Sequence, residues 1–308
     1  MSDISEAIYS DETKAREYLE LLRWPNGVIC PLNGCVGTAR PLEGKSMGDG
    51  WYYCTSCKDK FTVRVGSIFE RSHVPLHKWL VAFRLMASSK KGCSAHQIHR
   101  TLEVTYKTAW FMAHRIREAM RSGPFAPSMG GRGKVVESDE TYIGQKKGRA
   151  RDGRNKHVVL SLVERGGEVR SFHVANAKSV TIGPIVAANI ARESKLSTDE
   201  GKQYIPIGKA FAGHVTVDHS REEYVRGEAS TNAAEGFFSI FKRGMKGVYQ
   251  HCDEKHLHRY LAEFDFRYNN RIALGVDDTE RTDRALRGAI GRRLTYQGSP
   301  QRLRRKAH

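Results

Sequence analysis

The sequence lacks any long hydrophobic segment, which argues against a membrane-spanning helix. No uninterrupted apolar run among its 308 residues approaches the ~20 residues that a helix needs to cross a bilayer. Acidic residues outnumber basic ones near the N-terminus, which is the wrong charge for a secretory signal. These acidic residues are Asp3, Glu6, Asp11, Glu12, Glu17 and Glu20. We therefore expect a cytoplasmic protein.

Over the whole chain, however, acidic residues are the minority. Lys and Arg number 51 against 34 Asp and Glu, which gives a formal net charge of +17. The excess lies mainly in residues 76–123, with a net charge of +7, and in residues 271–308, with +6. Two separate basic regions favour a polyanionic partner, and nucleic acid is the one we expect. The alternative is a charged surface that only keeps the protein in solution.

Changes in composition divide the chain into six segments. Hydrophobic residues make up 39% of the sequence, enough to form a core, and the length suggests more than one structural unit. Gly and Pro cluster between the helical and mixed regions, where we expect a linker. The predicted segments are an N-terminal helix (1–23), a cysteine-rich ribbon (24–72), a helical segment (73–123), the linker (124–133), an α/β domain (134–275) and a basic C-terminal tail (276–308).

Four of the six cysteines form two close pairs. Cys30 and Cys35 enclose four residues, and Cys54 and Cys57 enclose two. Each pair can direct two thiolates towards one point, and two such turns supply the four sulfur ligands of a closed structural zinc site. Buried free thiols or disulfides are the alternatives, but disulfides are not expected in a cytosolic chain. We therefore predict a zinc ribbon, in which Zn²⁺ stabilises a segment too small to fold on its own core.

The basic segment after the cysteines predicts two short helices joined by a turn. Ser94 can cap the first helix and Thr105 the second. The pattern is typical of a helix-turn-helix, in which the second helix enters a DNA groove, although an ordinary helical hairpin is the alternative. The apolar stripe of the second helix comprises Ala109, Met112, Ala113 and Ile116. The cations that remain for solvent or phosphate include Lys107, Arg115 and Arg117.

Beyond the linker, strand and helix patterns alternate. Segments 134–143, 158–163 and 169–174 predict three consecutive antiparallel strands. Such a mixture of strands and helices indicates a layered α/β architecture. The remaining predicted elements are a helix at 182–191, a weak strand at 195–199, a clearer strand at 214–217 and an amphipathic helix at 232–245.

Acidic residues occur at three places in this α/β pattern. Asp139 lies inside the first strand, where an acid is uncommon unless it is exposed or functional. Glu235 lies on the last helix, where it could bind a metal ion or form a capping box with Asn232. Between them, Asp199 and Asp218 each follow a predicted strand. The residues themselves do not decide between these two.

The region around Glu235 resembles a known family. The stretch from Asn232 to His251 and the run Lys255–Arg271, which reads KHLHRYLAEFDFRYNNR, are similar to the acid-bearing region of bacterial insertion-sequence transposases. The resemblance extends over roughly residues 15–275, in the order ribbon, helical segment and α/β domain. It is closest to the ISXO-type group, which pairs an N-terminal zinc ribbon with a DDE catalytic domain.

The resemblance implies a ribonuclease-H-like mixed sheet with helices, preceded by the ribbon and the helix-turn-helix-like segment. It assigns catalysis, and the binding of two Mg²⁺ or Mn²⁺ ions, to Asp139, Asp199 and Glu235. Asp218 becomes the runner-up, because the stretch 214–220 is similar to a family stretch that lies between the second and third acids.

The implied activity is that of a DNA transposase. It would hydrolyse DNA at the transposon ends and transfer the new 3′-hydroxyl into target DNA, acting as a dimer or larger homo-oligomer on double-stranded DNA in the nucleoid. A non-catalytic DNA-binding regulator and a metal-dependent structure-specific nuclease are the alternatives.

Further basic residues would suit contacts with DNA phosphates. Lys146, Lys147 and Arg149 lie between the first two predicted strands, in a basic hairpin loop or a merely solvated one. Lys242 and Arg243 follow Glu235 on its helix and could hold phosphate there.

Overall fold

The computed structural model describes residues 6–32, 34–35, 37–42, 48–123, 126–144, 156–217 and 231–295. Within these ranges, no helix is both long enough and apolar enough to cross a membrane. Of the candidate site residues named above, Lys146, Lys147, Arg149 and Asp218 lie outside them.

The N-terminal region consists of one helix and a small sheet. Helix α1 (Glu12–Arg23) begins where the Asp11 carboxylate accepts a hydrogen bond of 2.9 Å from the Lys14 amide. The sheet is antiparallel with its second strand in the centre. Its strands are β1 (Ala39–Pro41), β2 (Tyr52–Cys54) and β3 (Lys60–Phe61).

Three helices follow the ribbon. They are α2 (Leu76–Ser88), α3 (Ala95–Leu102) and α4 (Tyr106–Ala119). Both predicted caps are confirmed, since Ser94 accepts from the Gln97 amide at 3.1 Å and Thr105 from the Thr108 amide at 3.2 Å. Glu103 turns the chain between α3 and α4 in a left-handed conformation, with φ 52°. The predicted apolar stripe of α4 is buried in the core that these helices share.

The C-terminal segment contributes to the same core. Helix α9 (Asp278–Arg287) lies within the expected basic tail and packs against α2, with Ala285 and Leu286 buried. Arg292, one of the cations of this basic tail, donates to the backbone carbonyls of Ala119 at 3.2 Å and Arg121 at 2.6 Å. A guanidinium at the end of α4 suits the partial negative charge of a helix C-terminus.

The α/β region is built on a five-stranded mixed sheet. Its strands are β4 (Val135–Ile143), β5 (His157–Glu164), β6 (Val169–Val174), β7 (Lys195–Asp199) and β8 (Gly213–Val217). They lie in the order β6-β5-β4-β7-β8. Strands β4, β5 and β6 are antiparallel neighbours, as predicted, whereas β4, β7 and β8 are parallel.

Strand β7 is the polar strand that the sequence indicated only weakly. It lies between β4 and β8, where Ser197 and Thr198 are fully buried. Their small hydroxyl side chains can be buried because they find partners inside the protein, as Thr198 Oγ1 does with His214 Nε2 at 2.9 Å.

Helices cover both faces of this sheet. Helices α5 (Ser179–Asn189) and α6 (Tyr204–Gly208) pack on the face of the even-numbered β4 residues. Helices α7 (Asn232–Gly244) and α8 (Glu254–Asn269) pack on the face of the odd-numbered ones.

Helix α8 also contacts α4 through a buried ion-pair network. The Glu263 carboxylate is fully buried and accepts from Arg117 Nε at 2.7 Å, from Arg267 and from the Tyr249 hydroxyl. Burial alone would raise the pKa of Glu263, but the guanidinium groups of Arg267 and Arg117 lower it. The carboxylate therefore stays ionised and fastens α4 to α8.

Two expected DNA contacts are corrected by this packing. Arg117 is 2% exposed and bound to Glu263, and Arg115 is 7% exposed and donates to the backbone carbonyls of Ile68 and Glu70 at 2.6 and 3.1 Å. Neither guanidinium can reach a phosphate. The sequence showed these residues outside the apolar stripe of α4, but it did not show that other segments cover that side of the helix.

Candidate active site and zinc centre

The four paired cysteines lie together at one side of the ribbon sheet. The Sγ atoms of Cys30 and Cys57 are 3.6 Å apart, as are those of Cys35 and Cys54, and all four lie within 4.8 Å of one another. A tetrahedral zinc site with Zn–S bonds of about 2.3 Å has S–S edges of roughly 3.8 Å. The four thiols are free, and their positions fit a structural Zn²⁺ ion.

The hydrophobic core of the ribbon is too small to stabilise its fold without help. Among the described residues, the hydrophobic cluster around the ribbon sheet has three buried members, Cys30, Cys54 and Phe61, and two of the three also belong to the metal site. Phe61 stacks on Tyr52 with ring centroids 5.8 Å apart, and Trp24 meets both rings edge-on. Binding of Zn²⁺ would therefore supply most of the free energy that keeps this segment folded.

Asp139 and Asp199 lie side by side on parallel strands. The register of β4 against β7 runs from Val135 opposite Lys195 to Ser138 opposite Thr198. One further step places Asp139 opposite Asp199, the last residue of β7. Neighbours in register on parallel strands are about 4.8 Å apart and point to the same face. Both side chains are half-buried.

Glu235 lies on the helix that covers this face. It is in the first turn of α7, which contacts β4 and β5, and its side chain is exposed. Its Oε1 accepts from the Thr231 hydroxyl at 3.2 Å. The capping box considered for Asn232 and Glu235 does not form, because Thr231 is the N-cap and makes no side-chain capping bond.

Glu137 caps α7 in its place. Its Oε2 accepts from the amides of Ala233 and Ala234, at 2.9 and 3.0 Å, while its Oε1 pairs with Arg165 Nε at 2.7 Å. The residue is 1% exposed. A carboxylate at a helix N-terminus satisfies free amides and complements the helix dipole. Strand β4 therefore carries Asp139 and, two residues earlier, the group that fixes the helix of Glu235.

The three proposed catalytic carboxylates do not form a single tight cluster. Within the described part of the chain, no group that contains all three has ligand oxygens within 4.8 Å of one another. A site for two ions about 4 Å apart does not need all of its ligand oxygens within 4.8 Å of one another. The donor set consists only of carboxylate oxygens, which suits hard Mg²⁺ or Mn²⁺.

A fourth acid, Glu140, lies beside this site and was not singled out from the sequence. It faces the opposite side of β4 from Asp139. Burial raises the pKa of Glu140 to about 7, a hydrogen bond from Tyr204 opposes the rise, and the charges of Asp199 and Asp139 add to it. Its burial depends on α6, which only the folded chain brings there.

The other predicted DNA-contacting cations that the structure describes are accessible. Lys107 is exposed in the first turn of α4, and Lys242 and Arg243 are exposed in the last turn of α7. Arg243 Nε donates to the carbonyl of Ser239 at 3.1 Å.

Comparison with known families matches both parts of the molecule. The family model of a transposase zinc-ribbon domain matches residues 10–60, which contain all four paired cysteines. The model of an ISXO2-like transposase domain matches residues 130–269, which contain Asp139, Asp199 and Glu235. The chain belongs to the insertion-sequence transposases with an N-terminal zinc ribbon. The five-stranded sheet of this transposase is accordingly the ribonuclease-H-like core of its transposase domain.

Two individual proteins are similar to this transposase at low sequence identity. An uncharacterized protein in transposable element ISH50 of Halobacterium salinarum is 29% identical over 281 residues, or 84% of this transposase and 91% of the relative. A chain in the cryo-EM structure of the simian T-cell lymphotropic virus intasome, in complex with PP2A regulatory subunit B56 gamma, aligns with a TM-score of 0.29 at 15% identity. That alignment covers 55% of the transposase and 63% of the other chain, and its score is too low to support an argument.

Proposed function

We propose that this transposase cuts DNA at the ends of its insertion sequence and joins the freed 3′-hydroxyls to target DNA. The observation that carries the proposal is the register of β4 and β7, which sets Asp139 beside Asp199 on the face covered by the helix of Glu235. Two strands and a helix in this arrangement can direct three carboxylates from distant parts of the chain to one phosphodiester.

Asp139, Asp199 and Glu235 would hold two Mg²⁺ or Mn²⁺ ions. Bound there, the ions would activate the attacking oxygen and stabilise the leaving oxygen of an in-line displacement at phosphorus. The same carboxylates serve two displacements: water first breaks the bond at the transposon end and leaves a 3′-hydroxyl, which then attacks a phosphodiester of the target. Each displacement forms one P–O bond and breaks one, so no Ser or Tyr nucleophile is needed.

Glu137 supports this reaction without touching DNA. Its hydrogen bonds to Ala233 and Ala234 set the start of α7, and Glu235 follows within the same turn. Its other carboxylate oxygen pairs with Arg165 Nε at 2.7 Å, so both oxygens of the buried side chain are held in place. We propose it as a positioning residue for Glu235.

DNA recognition is proposed for the exposed beginning of α4. In a helix-turn-helix, the first residues of the second helix meet the base edges. Here Lys107 is exposed, and so is Tyr106, whose ring stacks on His96 with centroids 4.4 Å apart. With Arg115 and Arg117 buried, this first turn is the part of α4 that can enter a groove. Lys242 and Arg243 would hold phosphate nearer the carboxylates.

The test is to incubate the purified full chain with Mn²⁺ and duplex DNA that carries the ends of its element. We predict that the element's ends are cut first and that the cut ends are then joined to target DNA. Binding without cutting would instead indicate a regulator, and cutting without joining a nuclease, so either outcome would overturn the proposal.

The same assay decides the second acid. Asp199→Asn should abolish cutting while Asp218→Asn retains it, because Asp199 is the acid in register with Asp139. The reverse result would transfer the role to Asp218 and leave the rest of the site intact.

A further inference from the structure

A second group of metal-ligand side chains lies on the transposase domain, apart from the cysteines and from the catalytic carboxylates. It comprises His157 at the start of β5, His173 on β6 and Glu254 at the start of α8. One donor atom from each lies within 4.8 Å of the others. His173 and Glu254 line an open recess of about 600 Å³, whose wall also includes Asp253, Lys255 and His258.

Strand register and helix packing bring these three residues together. His173 is opposite Val159 in the β5–β6 ladder, so His157 is its diagonal neighbour on the same face. The two imidazole rings meet edge to face with centroids 5.6 Å apart. Glu254 reaches both rings from α8, with Oε2 3.9 Å from His157 Nδ1 and Oε1 3.7 Å from His173 Nε2.

These distances are close to those of a coordinated ion. Ligands at about 2.0–2.1 Å from a tetrahedral Zn²⁺ are separated by roughly 3.4 Å. Glu254 is 65% exposed, so its side chain is free to adjust by the few tenths of an ångström required. The histidine side chains are 24% and 25% exposed, which leaves the recess accessible to an ion from solvent.

A simple ion pair explains the arrangement less well. Two protonated imidazoles in contact would repel each other, and one shared carboxylate can balance only one of them. Neutral imidazoles could donate N–H bonds to the carboxylate, but Oε2 and Oε1 lie 3.9 and 3.7 Å from the ring nitrogens, beyond hydrogen-bond length. One divalent cation uses all three donors at once, and the nearby Lys255 ammonium is offset by Asp253, 3.3 Å away.

We propose that His157, His173 and Glu254 bind a zinc-class divalent ion, with solvent or His258 completing its coordination. Two imidazoles and one carboxylate suit Zn²⁺ and its first-row neighbours better than Mg²⁺. His258 is one helical turn after Glu254 and therefore on the same side of α8.

The ion would complete a series of polar contacts that fasten α8 to the edge strand β6. At one end, the Asn269 side chain bonds the backbone of Val169 at 2.7 and 2.9 Å. In the middle, the Asp265 carboxylate accepts from the amide and hydroxyl of Ser171 at 2.8 and 2.7 Å. His173 and Glu254 continue the series to the first turn of α8. This role does not depend on the proposed DNA chemistry.

The experiment is a zinc count on the full-length protein, purified with Zn²⁺ and dialysed free of excess metal. We expect two ions per chain in the wild type and one in His173→Ala. Glu254→Gln, a change at an exposed position that leaves folding intact, should also hold one. The matched control is His251→Ala, which removes an exposed histidine just before α8 and should retain two.

Substitution with Co²⁺ separates the two kinds of site. The four-cysteine site gives sulfur-to-cobalt charge-transfer bands, whereas a site of nitrogen and oxygen ligands gives only weak visible bands. His173→Ala and Glu254→Gln should lose the weak bands and keep the charge-transfer bands. One zinc per chain in the wild type, or two in both variants, would overturn the proposal.

Discussion

The zinc ligands of the ribbon and the proposed metal ligands of the transposase domain differ in how they relate to the hydrophobic core. In the ribbon, Cys30 and Cys54 are both ligands and core, and Phe61 is the only other buried member of that hydrophobic cluster among the described residues. In the transposase domain, Asp139, Asp199 and Glu235 are half-buried or exposed, while two separate apolar clusters fill the faces of the sheet. Loss of metal should therefore unfold the first region and only inactivate the second.

The largest effect is expected from breaking the ribbon. Cys54→Ser should lose the ribbon zinc, whose binding in small zinc-stabilised domains is worth on the order of 10 kcal/mol. Hydrogen exchange should then become fast over residues 24–65 and stay slow in the sheet of β4 to β8. Protection retained in the ribbon without its zinc would show that the aromatic cluster of Trp24, Tyr52 and Phe61 is sufficient.

The converse change should separate chemistry from folding in the transposase domain. Glu235→Gln should keep DNA binding and the melting temperature but reduce cleavage by roughly 10³-fold or more, as loss of a catalytic group does. Glu193→Gln, at an exposed site just before β7, is the matched control and should cleave normally. If Glu235→Gln cleaves DNA at the wild-type rate, Glu235 is not part of the catalytic site.

A smaller effect should follow from loosening the helix that carries Glu235. Glu137→Gln replaces the buried cap by a neutral one, so we expect a 10- to 100-fold lower rate, comparable to that of lost support for a metal ligand. The Mn²⁺ concentration for half-maximal rate should rise as well, which a merely less stable protein would not show.

The control for this change is another half-buried glutamate that pairs with a cation. Glu164 contacts Lys134 at 3.4 Å and the Gly130 amide at 3.0 Å, but it does not cap α7. Glu164→Gln should leave the Mn²⁺ dependence unchanged. If both variants shift it equally, Glu137 acts through general stability and not through Glu235.

Sequence patterns predicted the parts of the molecule that depend on local chemistry. Ser94 and Thr105 are caps because their hydroxyls need only an amide three residues away, and the cysteine spacings need only two turns. Parts that depend on packing between distant segments were missed. Nothing near Arg117 in the sequence shows that Glu263 will cover it.

The same limit applies to the site. Asp139 could be proposed from the sequence as an acid inside a strand pattern, and the resemblance suggested its partners. The role of Glu137 could not be found, since its two amide donors come almost 100 residues later. The sequence pattern indicated only that Glu137 lies on the same face of its strand as Asp139.

A last prediction concerns pH and the contact between α8 and β6. Burial raises the pKa of Asp265 to about 7, although its hydrogen bonds from Ser171 oppose the rise. The folded state therefore binds an extra proton between about pH 4 and 7, so stability should fall as pH rises, by up to about 1.4 kcal/mol per pH unit. Asp265→Asn should flatten that slope in urea unfolding, and an unchanged slope would assign it to another group.

The central claim is that Asp139, Asp199 and Glu235 gather divalent ions at one place in the fold. Iron-mediated cleavage of the protein tests it directly, because Fe²⁺ bound in place of Mg²⁺ generates hydroxyl radicals that cut the backbone beside its ligands. With zinc-loaded protein, we predict cuts near residues 139, 199 and 235, all suppressed together by excess Mg²⁺. Cuts that avoid these three positions, or that Mg²⁺ does not suppress, would contradict the account.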